Sequence, residues 1–363
     1  MNTSPSIGLA FSGGGFRATA FGLGCLRALH DDNLLPHVRV VSGVSGGALL
    51  AAMWAYGPAS FDEFDDDVTA LLRQGLQGEL LRRAIARHRF GKKAGEAGSQ
   101  TRAPKRRPGS VNRTDALVEA LASRPFGTRT IEQVTHPDLA TVISATDLIT
   151  TNAVRFGSMT SSCSAHGRIT DQVRVSDAVA ASAAFPLMLP VLRRSYEFDS
   201  DQAGRRRRTV ALTDGGVYDN LALSPLLPGR SPQYTHHVYE LDYVIAVDAG
   251  RGRSIKYGAT FLPGRMARTF DIVYARMQDG GRAQLHLAAE RGELKGFVHA
   301  YLAMQDRKLP IPVADFVPRA AVVGYPTNFA AMSGKDIRLL TSRGAQLMRT
   351  LVEHYCPELR GGL

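Results

Sequence analysis

The stretch Val38-Arg39-Val40-Val41-Ser42-Gly43-Val44-Ser45-Gly46-Gly47 decides the fold, because it joins an apolar run to a serine flanked by glycines. A helix-like stretch over residues 48–56 follows directly. A sharp strand–serine–helix turn strains its central residue, and glycines at positions 43 and 47 let neighbouring backbone pass without a Cβ clash. Such a turn lifts the Ser45 hydroxyl clear of the sheet and points the positive end of the helix at whatever the hydroxyl attacks. The stretch therefore predicts a serine hydrolase.

Five apolar runs are typical of buried strands. They span residues 7–11, 38–41, 141–145, 210–213 and 243–247. The stretch 16–30, rich in Ala, Leu and Gly, predicts a helix that packs closely on the sheet. Strand–helix–strand units connect parallel strands, and longer helical stretches separate the other runs. The pattern predicts an α/β fold of three layers, α/β/α, with a mixed, mostly parallel central sheet.

The net charge of +11 is concentrated in one segment of this 363-residue chain. Between residues 73 and 113, twelve Lys and Arg side chains stand against two acids. We expect one catalytic domain over residues 1–363, with this segment as a basic, flexible insertion. Composition allows either a solvated loop or contact with anionic lipid head groups. Nucleic acid is disfavoured, because Phe90 is the one aromatic residue in the segment.

Three cysteines, far apart and without metal-ligand spacing, predict free thiols in a reducing compartment. The polar first residues do not resemble a secretory signal, and no apolar run is long enough to span a bilayer. We therefore expect a cytoplasmic protein that is peripheral at the membrane surface.

A glycine-rich loop, Ser12-Gly13-Gly14-Gly15-Phe16-Arg17, follows the first apolar run. Consecutive glycines that open a helix expose backbone N–H groups to negative charge. The loop lacks the Gly-Lys-Ser/Thr of a nucleotide P-loop, and its spacing differs from a dinucleotide fingerprint. An oxyanion hole beside Ser45 is the consistent alternative, where each donor contributes a factor of about 10²–10³ in rate.

The second candidate for chemistry is Asp214, which precedes two glycines and follows the run 210–213. This position suits an aspartate that reaches a serine at the end of a neighbouring strand, although Asp-Gly also caps ordinary turns. A carboxylate with a pKa of about 3.9 is a poor base for a hydroxyl. Partial desolvation would raise that pKa, so we expect Asp214 to accept the proton of Ser45.

These three elements, in this order, resemble the patatin-like phospholipase family, which carries a G-G-G-x-R-G loop, a G-x-S-x-G elbow and a D-G-[GA] motif. Further stretches also resemble it, namely Ala145-Thr146-Asp147-Leu148, Ala181-Ser182-Ala183-Ala184-Phe185-Pro186 with Pro190, and Gly216-Val217-Tyr218-Asp219-Asn220. The chain departs from the family at Ala18, where the loop has glycine. The likeness covers roughly residues 7–56 and 140–250, so it assigns no role to the basic segment or the C-terminal third.

The resemblance implies a Ser–Asp dyad without histidine, in which Ser45 is the nucleophile and Asp214 the base. The resemblance also implies an oxyanion hole formed by Gly13, Gly14 and Gly15, with Arg17 as the loop's arginine. To this set we add Gly46, which supplies the first N–H of the helix behind Ser45. It further implies phospholipase A or lysophospholipase action on a glycerophospholipid or related lipid ester, with no metal and no cofactor. An apolar channel for the acyl chain would be lined by Phe185, Leu187, Met188 and Leu189.

Three alternatives remain open at this point. A Ser–His–Asp triad is compatible with chain order, because five histidines follow Asp214, namely His236, His237, His286, His299 and His354. An acyltransferase would use the same acyl-enzyme with an alcohol in place of water. A non-catalytic lipid- or nucleic-acid-binding protein is the alternative outside the enzymes. Head-group preference, oligomeric state and the need for an activator are not encoded in any recognisable motif.

Overall fold

The computed structural model describes residues 4–80, 82–83, 113–186, 188–200, 204–252 and 261–361. The strands are β1 (Ile7–Phe11), β2 (Val38–Gly43), β3 (Ala140–Asp147), β4 (Asn152–Gly157), β5 (Ser161–Cys163), β6 (Gly167–Ile169), β7 (Leu192–Ser200), β8 (Gly204–Asp214), β9 (Tyr243–Asp248) and β10 (Gly296–Tyr301). The helices are α1 (Phe16–Asp31), α2 (Gly46–Tyr56), α3 (Phe61–Gln74), α4 (Arg113–Ser123), α5 (Val175–Ser182), α6 (Gly216–Asp219), α7 (Leu262–Glu290), α8 (Arg319–Val322), α9 (Gly334–Tyr355) and α10 (Glu358–Gly361).

All ten strands form one sheet in the order β10-β9-β1-β2-β3-β4-β5-β6-β7-β8. The pairings from β10 to β3 are parallel. The pairings from β3 to β8 are antiparallel, and β8 returns to pair with β3. The sheet is therefore mixed, as predicted, but the description "mostly parallel" is wrong, because only its first five strands run parallel.

Side chains that alternate along the strands bury the two faces of the sheet separately. On β1, Ile7, Leu9 and Phe11 belong to a core cluster with residues of α1, α2 and α9. Ala10 belongs instead to a second cluster, with residues 221–226 and with Leu285 of α7. Helices thus cover both faces of the sheet in the described part of the chain, which agrees with the predicted α/β/α layering.

Helices α1 and α9 approach each other closely because both carry glycine at the contact. A Cβ at Gly24 would collide with the carbonyl oxygen of Thr341, and one at Gly344 would collide with that of Phe21. Glycine at these positions lets the two backbones meet directly, which fixes α1 against α9. The glycine loop that opens α1 therefore has a rigid support.

Two sequence predictions outside the core have different outcomes. The basic cluster 205–208 follows Gly204, a position at which the sequence predicts a hairpin turn. These residues are instead part of strand β8, where Arg205 pairs with Asp199 of β7. Most of the basic segment 73–113, including residues 84–112, lies outside the described residues. No helix in the described ranges combines the length and the apolar character needed to cross a bilayer.

Candidate active site

Ser45 occupies the turn between β2 and α2 in a strained conformation, with φ 55° and ψ −122°. Positive φ is unfavourable for a residue with a side chain. The flanking glycines allow the turn, because a Cβ at Gly43 would lie 2.7 Å from Cα of Ala48 and one at Gly47 would collide with the carbonyl oxygen of Phe11. The predicted elbow is therefore present, with α2 starting directly behind Ser45.

Hydrogen bonds from two other helices hold this turn. The N–H of Ser45 donates to Oγ of Ser182 at 2.9 Å, and that hydroxyl donates to the carbonyl oxygen of Ser144 at 2.7 Å. The hydroxyl of Thr19 donates to the carbonyl oxygen of Gly46 at 2.9 Å. Helices α5 and α1 thus both fix the backbone of the elbow.

Asp214 ends strand β8 beside β3, where it pairs with Ala145. Its carboxylate accepts a hydrogen bond of 2.7 Å from the N–H of Gly216, and the side chain of Ser45 lies close enough to lower its pKa. Burial outweighs both of these neighbours and raises the pKa of Asp214 to about 6. Strands distant in sequence thus place the two side chains near each other, and the carboxylate is more basic than a solvated one.

The glycine loop lies against the elbow, and one of its predicted donors is already engaged. The N–H of Gly13 donates to the carbonyl oxygen of Asn220 at 3.0 Å, so the prediction that Gly13 offers a free donor is wrong. Gly14 and Gly15 adopt φ of 149° and 58°, which glycine adopts without strain. In the described part of the chain their N–H groups meet no acceptor, and neither does that of Gly46 at the start of α2.

Arg17 connects the glycine loop to other segments through hydrogen bonds. Its buried guanidinium donates from Nε to the carbonyl oxygen of Ala249 at 2.9 Å. Nη1 donates to the carbonyl oxygen of Tyr325 at 3.0 Å and to the hydroxyl of Thr327 at 2.6 Å. Burial lowers the pKa of Arg17 to about 10, so it stays cationic at neutral pH. The predicted loop arginine thus ties the loop to two distant segments.

A cavity of about 1500 Å³ opens over these residues, with Ser45 and Asp214 in its lining. Its apolar lining residues are Leu80, Phe185, Met188, Leu189, Met266, Ile272, Val323 and Phe329. The volume exceeds the roughly 300–1000 Å³ of ordinary small-molecule sites. Three of the four residues predicted for an acyl channel line the cavity, and the fourth, Leu187, lies outside the described residues.

None of the five histidines of the alternative triad is among the lining residues that the structure describes. His299 bonds instead to Asp248 at 3.2 Å, and His237 to Ser162 at 3.1 Å. The structure therefore does not assemble a Ser–His–Asp triad around Ser45. No group of three or more metal-binding side chains is placed to hold an ion in the ranges described.

Sequence reasoning missed two residues beside Asp214. Oδ1 of Asn220 is buried and has no hydrogen-bond partner in the described ranges, and a Cβ at Gly13 would collide with it. The hydroxyl of Tyr274 would lie 2.8 Å from a Cβ at Gly216, and burial raises the pKa of this tyrosine well above its ordinary value. Asn220 follows the Asp-Gly-Gly motif, so that motif contained a signal. Tyr274 belongs to α7, a helix that the sequence did not predict.

Comparison with known proteins gives one family and a set of similar folds. The family model for patatin-like phospholipase matches residues 9–227. Human GIVD cytosolic phospholipase A2 is 13% identical, with a TM-score of 0.56, and the match covers 96% of this chain and 59% of that chain. The same human protein in complex with methyl γ-linolenyl fluorophosphonate is 12% identical, with a TM-score of 0.52 and coverage of 96% and 58%.

VipD from Legionella pneumophila is 16% identical, with a TM-score of 0.40 and coverage of 97% of this chain and 68% of that chain. No curated protein matches the chain in sequence. This chain therefore spans less than two thirds of the length of the human phospholipase whose fold it shares.

Proposed function

This chain belongs to the patatin-like phospholipase family, and we propose that it is a serine lipid acyl hydrolase that cleaves glycerolipid esters. The observation that supports this most directly is the closeness of the Ser45 side chain to the buried carboxylate of Asp214, whose pKa it lowers. Both residues lie at the wall of a large, partly apolar cavity. A nucleophile within reach of a base is the arrangement that acyl transfer requires.

In the first step of the proposed mechanism, Oγ of Ser45 attacks the ester carbonyl while Asp214 accepts the hydroxyl proton. The pKa of about 6 leaves this carboxylate ionised at neutral pH, yet basic enough to share a proton in the transition state. The N–H groups of Gly14, Gly15 and Gly46 stabilise the oxyanion. Collapse breaks the ester bond, and the leaving alcohol of the lysolipid takes the proton from Asp214.

In the second step, a water molecule attacks the acyl-serine and gives its proton to Asp214. The same N–H donors stabilise the second oxyanion. Collapse releases the fatty acid, and the proton returns to Oγ of Ser45. Each step needs only the serine, the carboxylate and the backbone donors, so the mechanism requires neither a metal nor a histidine.

The lipid acyl chain binds along the apolar wall of the cavity. Its apolar residues include Phe185, Leu189, Met266, Ile272 and Phe329. Each methylene that leaves water contributes about 0.8 kcal/mol, so a long acyl chain supplies most of the binding free energy. A short-chain ester is expected to react slowly for this reason.

Access to lipid substrates is proposed to occur through peripheral contact with an anionic membrane. On α7, Leu262, Met266 and Val273 follow at helical spacing and are each more than half exposed. Arg265 and Arg276 of the same helix are also exposed and complement an anionic surface. Met266 also lines the cavity, so this exposed face of α7 lies at its entrance.

The proposed function is tested by reaction with a fluorophosphonate probe and by fatty acid release from phospholipid vesicles. We expect labelling of Ser45 in the intact protein, and loss of both labelling and release in Ser45→Ala. Single alanine substitutions of His236, His286 and His354 serve as matched controls and should retain turnover. An unlabelled Ser45, together with no fatty acid from any lipid, would contradict the proposal.

A further inference from the structure

Arginine dominates the charged lining of the cavity. Its arginines are Arg17, Arg113, Arg251, Arg268, Arg276, Arg282 and Arg319, and its carboxylates are Asp214, Asp271 and Asp279. Asp214 is buried and accepts from the N–H of Gly216 at 2.7 Å, and Asp279 pairs with Arg282 at 3.2 Å. The cavity therefore carries a net positive charge that its own acids do not balance.

The guanidinium groups of Arg251 and Arg319 have no carboxylate partner among the residues described. Arg319 donates from Nε to the carbonyl oxygen of Ala303 at 2.9 Å. Arg251 reaches only the hydroxyl of Thr327, at 3.5 Å. A guanidinium has five N–H donors, so both side chains retain donors that line the cavity.

Arg251 stands close to Arg17, and Arg319 stands close to the residue that follows Arg251. The hydroxyl of Thr327 accepts from both Arg17 and Arg251. A Cβ at Gly252 would lie 3.6 Å from Nη2 of Arg319 and 2.9 Å from the hydroxyl of Tyr301. Arg251 is exposed and Arg319 is half-buried. Like charges on one cavity wall repel one another, and a bound anion would relieve that repulsion.

Two carboxylates near this group are engaged by other residues. Asp306 accepts from the backbone N–H of Arg319 at 3.0 Å and pairs with the guanidinium of Arg343 at 2.9 Å. Asp248 is fully buried and accepts from Arg282 at 2.6 Å and from His299 at 3.2 Å. It is therefore compensated by its own partners. Arg251, Arg319 and the hydroxyl of Tyr301 remain as donors toward the cavity.

We propose that Arg251 and Arg319, with the hydroxyl of Tyr301, bind a phosphate oxyanion in this cavity, supplied by the head group of the lipid whose ester is at Ser45. This inference rests on the proposed function and names the substrate class. The planar fork of arginine suits bidentate contact with phosphate. A head group with a quaternary ammonium would add a like charge beside the arginines, so anionic head groups are preferred over choline.

The test compares dioctanoyl phosphatidylglycerol, dioctanoyl phosphatidylcholine and dioctanoylglycerol, three esters with the same acyl chains. The intact protein should have the highest kcat/KM for phosphatidylglycerol. In Arg251→Gln and in Arg319→Gln, the ratio of kcat/KM for phosphatidylglycerol to that for dioctanoylglycerol should fall roughly tenfold or more, which corresponds to one charged hydrogen bond. Arg205→Gln, which removes an exposed arginine of β8, should leave the ratio unchanged.

Two further measurements complete the test. Arg251→Lys and Arg319→Lys should recover part of the ratio, and labelling of Ser45 by a fluorophosphonate shows that each variant is folded. Calorimetric titration of Ser45→Ala with inorganic phosphate measures the subsite without turnover. One outcome would assign the site to free phosphate instead of a lipid head group. In that case inorganic phosphate binds, the Arg251→Gln/Arg319→Gln double variant abolishes this binding, and the kinetics show no head-group preference.

The head-group assignment is overturned if the substrate ratio of both glutamine variants stays within about twofold of the intact protein. If no ester is hydrolysed and Ser45 is not labelled, the proposed function has failed. The titration with inorganic phosphate then decides the subsite by itself, because it depends only on the arginines. Absence of phosphate binding in that case would reject the subsite too.

Discussion

The hydroxyl of Ser182 accepts a 2.9 Å hydrogen bond from the N–H of Ser45. It also donates at 2.7 Å to the carbonyl oxygen of Ser144, so one side chain at the end of α5 links β3 to the elbow. A hydroxyl suits this position because it accepts and donates at once. The strained backbone of Ser45 is thus held by a residue that has no part in the proposed chemistry.

Ser182→Ala is expected to lower both stability and turnover. It leaves the N–H of Ser45 and the carbonyl of Ser144 unpaired in a buried place, and each unpaired group costs about 1–3 kcal/mol. We expect the free energy of unfolding to fall by about 2 kcal/mol and kcat by roughly tenfold. Denaturant titration and steady-state kinetics measure the two quantities.

Ser176→Ala is the matched control for this change. Ser176 lies on the same helix and is fully buried, but its hydroxyl has no hydrogen-bond partner among the residues that the structure describes. Loss of this hydroxyl should leave stability unchanged or slightly raise it. Equal effects of the two substitutions would show that the bond to Ser45 is unimportant.

Asp214→Asn is expected to abolish turnover while stabilising the protein at neutral pH. Since the pKa of Asp214 is raised from 3.8 to about 6 in the folded state, the ionised form opposes folding. The stability that this group contributes is present below pH 3.8 and is lost as the pH rises toward 6. Asparagine should therefore raise the free energy of unfolding by up to about 3 kcal/mol at pH 7, and by little at pH 4.

Asp248→Asn should show the opposite sign. Burial alone would raise the pKa of Asp248, but His299 and Arg282 outweigh it and lower the pKa to about 2. This carboxylate therefore contributes stability above pH 3.8, which is lost as the pH falls toward 2. Unfolding measured from pH 4 to pH 8 distinguishes the two variants, and stabilisation by both would reject the electrostatic explanation.

The pH dependence of turnover should have an acid limb near pH 6, because only ionised Asp214 can accept the proton of Ser45. Below this pH, kcat/KM should fall by about tenfold per pH unit. A neutral diacylglycerol substrate is appropriate, since its charge does not change over the range. If kcat/KM instead falls only near pH 4, the carboxylate of Asp214 is solvated when it accepts the proton.

Gly46→Ala should remove activity by displacing the glycine loop. A Cβ at this position would collide with the carbonyl oxygen of Gly15, so the elbow or the loop must shift. Gly280→Ala, in the middle of α7, is the control, because no atom lies within 4 Å of its Cβ position. It should stabilise the protein by up to about 1 kcal/mol. Full activity of Gly46→Ala would mean that the contact between loop and elbow is dispensable.

The parallel core and the elbow were predictable from the sequence because their signals are local. A continuous apolar run before a glycine-flanked serine indicates both strand and turn, and β1 starts and ends where predicted. The direction of β8 was not predictable, since an apolar run of four residues, 210–213, contains no information on strand orientation. The register of β8 depends on pairing with β7 and β3, which are separate in sequence.

The engaged N–H of Gly13 and the role of α7 also depend on tertiary structure. Three consecutive glycines look equivalent in the sequence, but only Gly13 meets the carbonyl of Asn220. Apolar residues of α7 are exposed on one face and contact the core on another, so their spacing does not identify a single buried stripe. Both features depend on contacts between segments that are far apart in the sequence.

The exposed face of α7 leads to a last prediction, about membrane binding. Leu262→Ser combined with Met266→Ser should weaken binding to phosphatidylglycerol vesicles by roughly tenfold to a hundredfold. Burial of each side chain in a bilayer contributes up to about 2 kcal/mol of binding free energy, and partial burial contributes less. Co-sedimentation with vesicles at low and at high salt measures the change. Salt should weaken the arginine contribution but not the apolar one.

Met159→Ser is the control, because Met159 is 76% exposed in a turn and does not line the cavity. If the α7 face is the contact surface, this change leaves vesicle binding intact. Hydrolysis of a dispersed short-chain ester by the double variant should also persist better than hydrolysis of vesicle lipid, since only the latter requires docking. If the double variant loses hydrolysis equally with both substrates, the two α7 side chains act on the cavity itself. That result would reject this face of α7 as a membrane-binding surface.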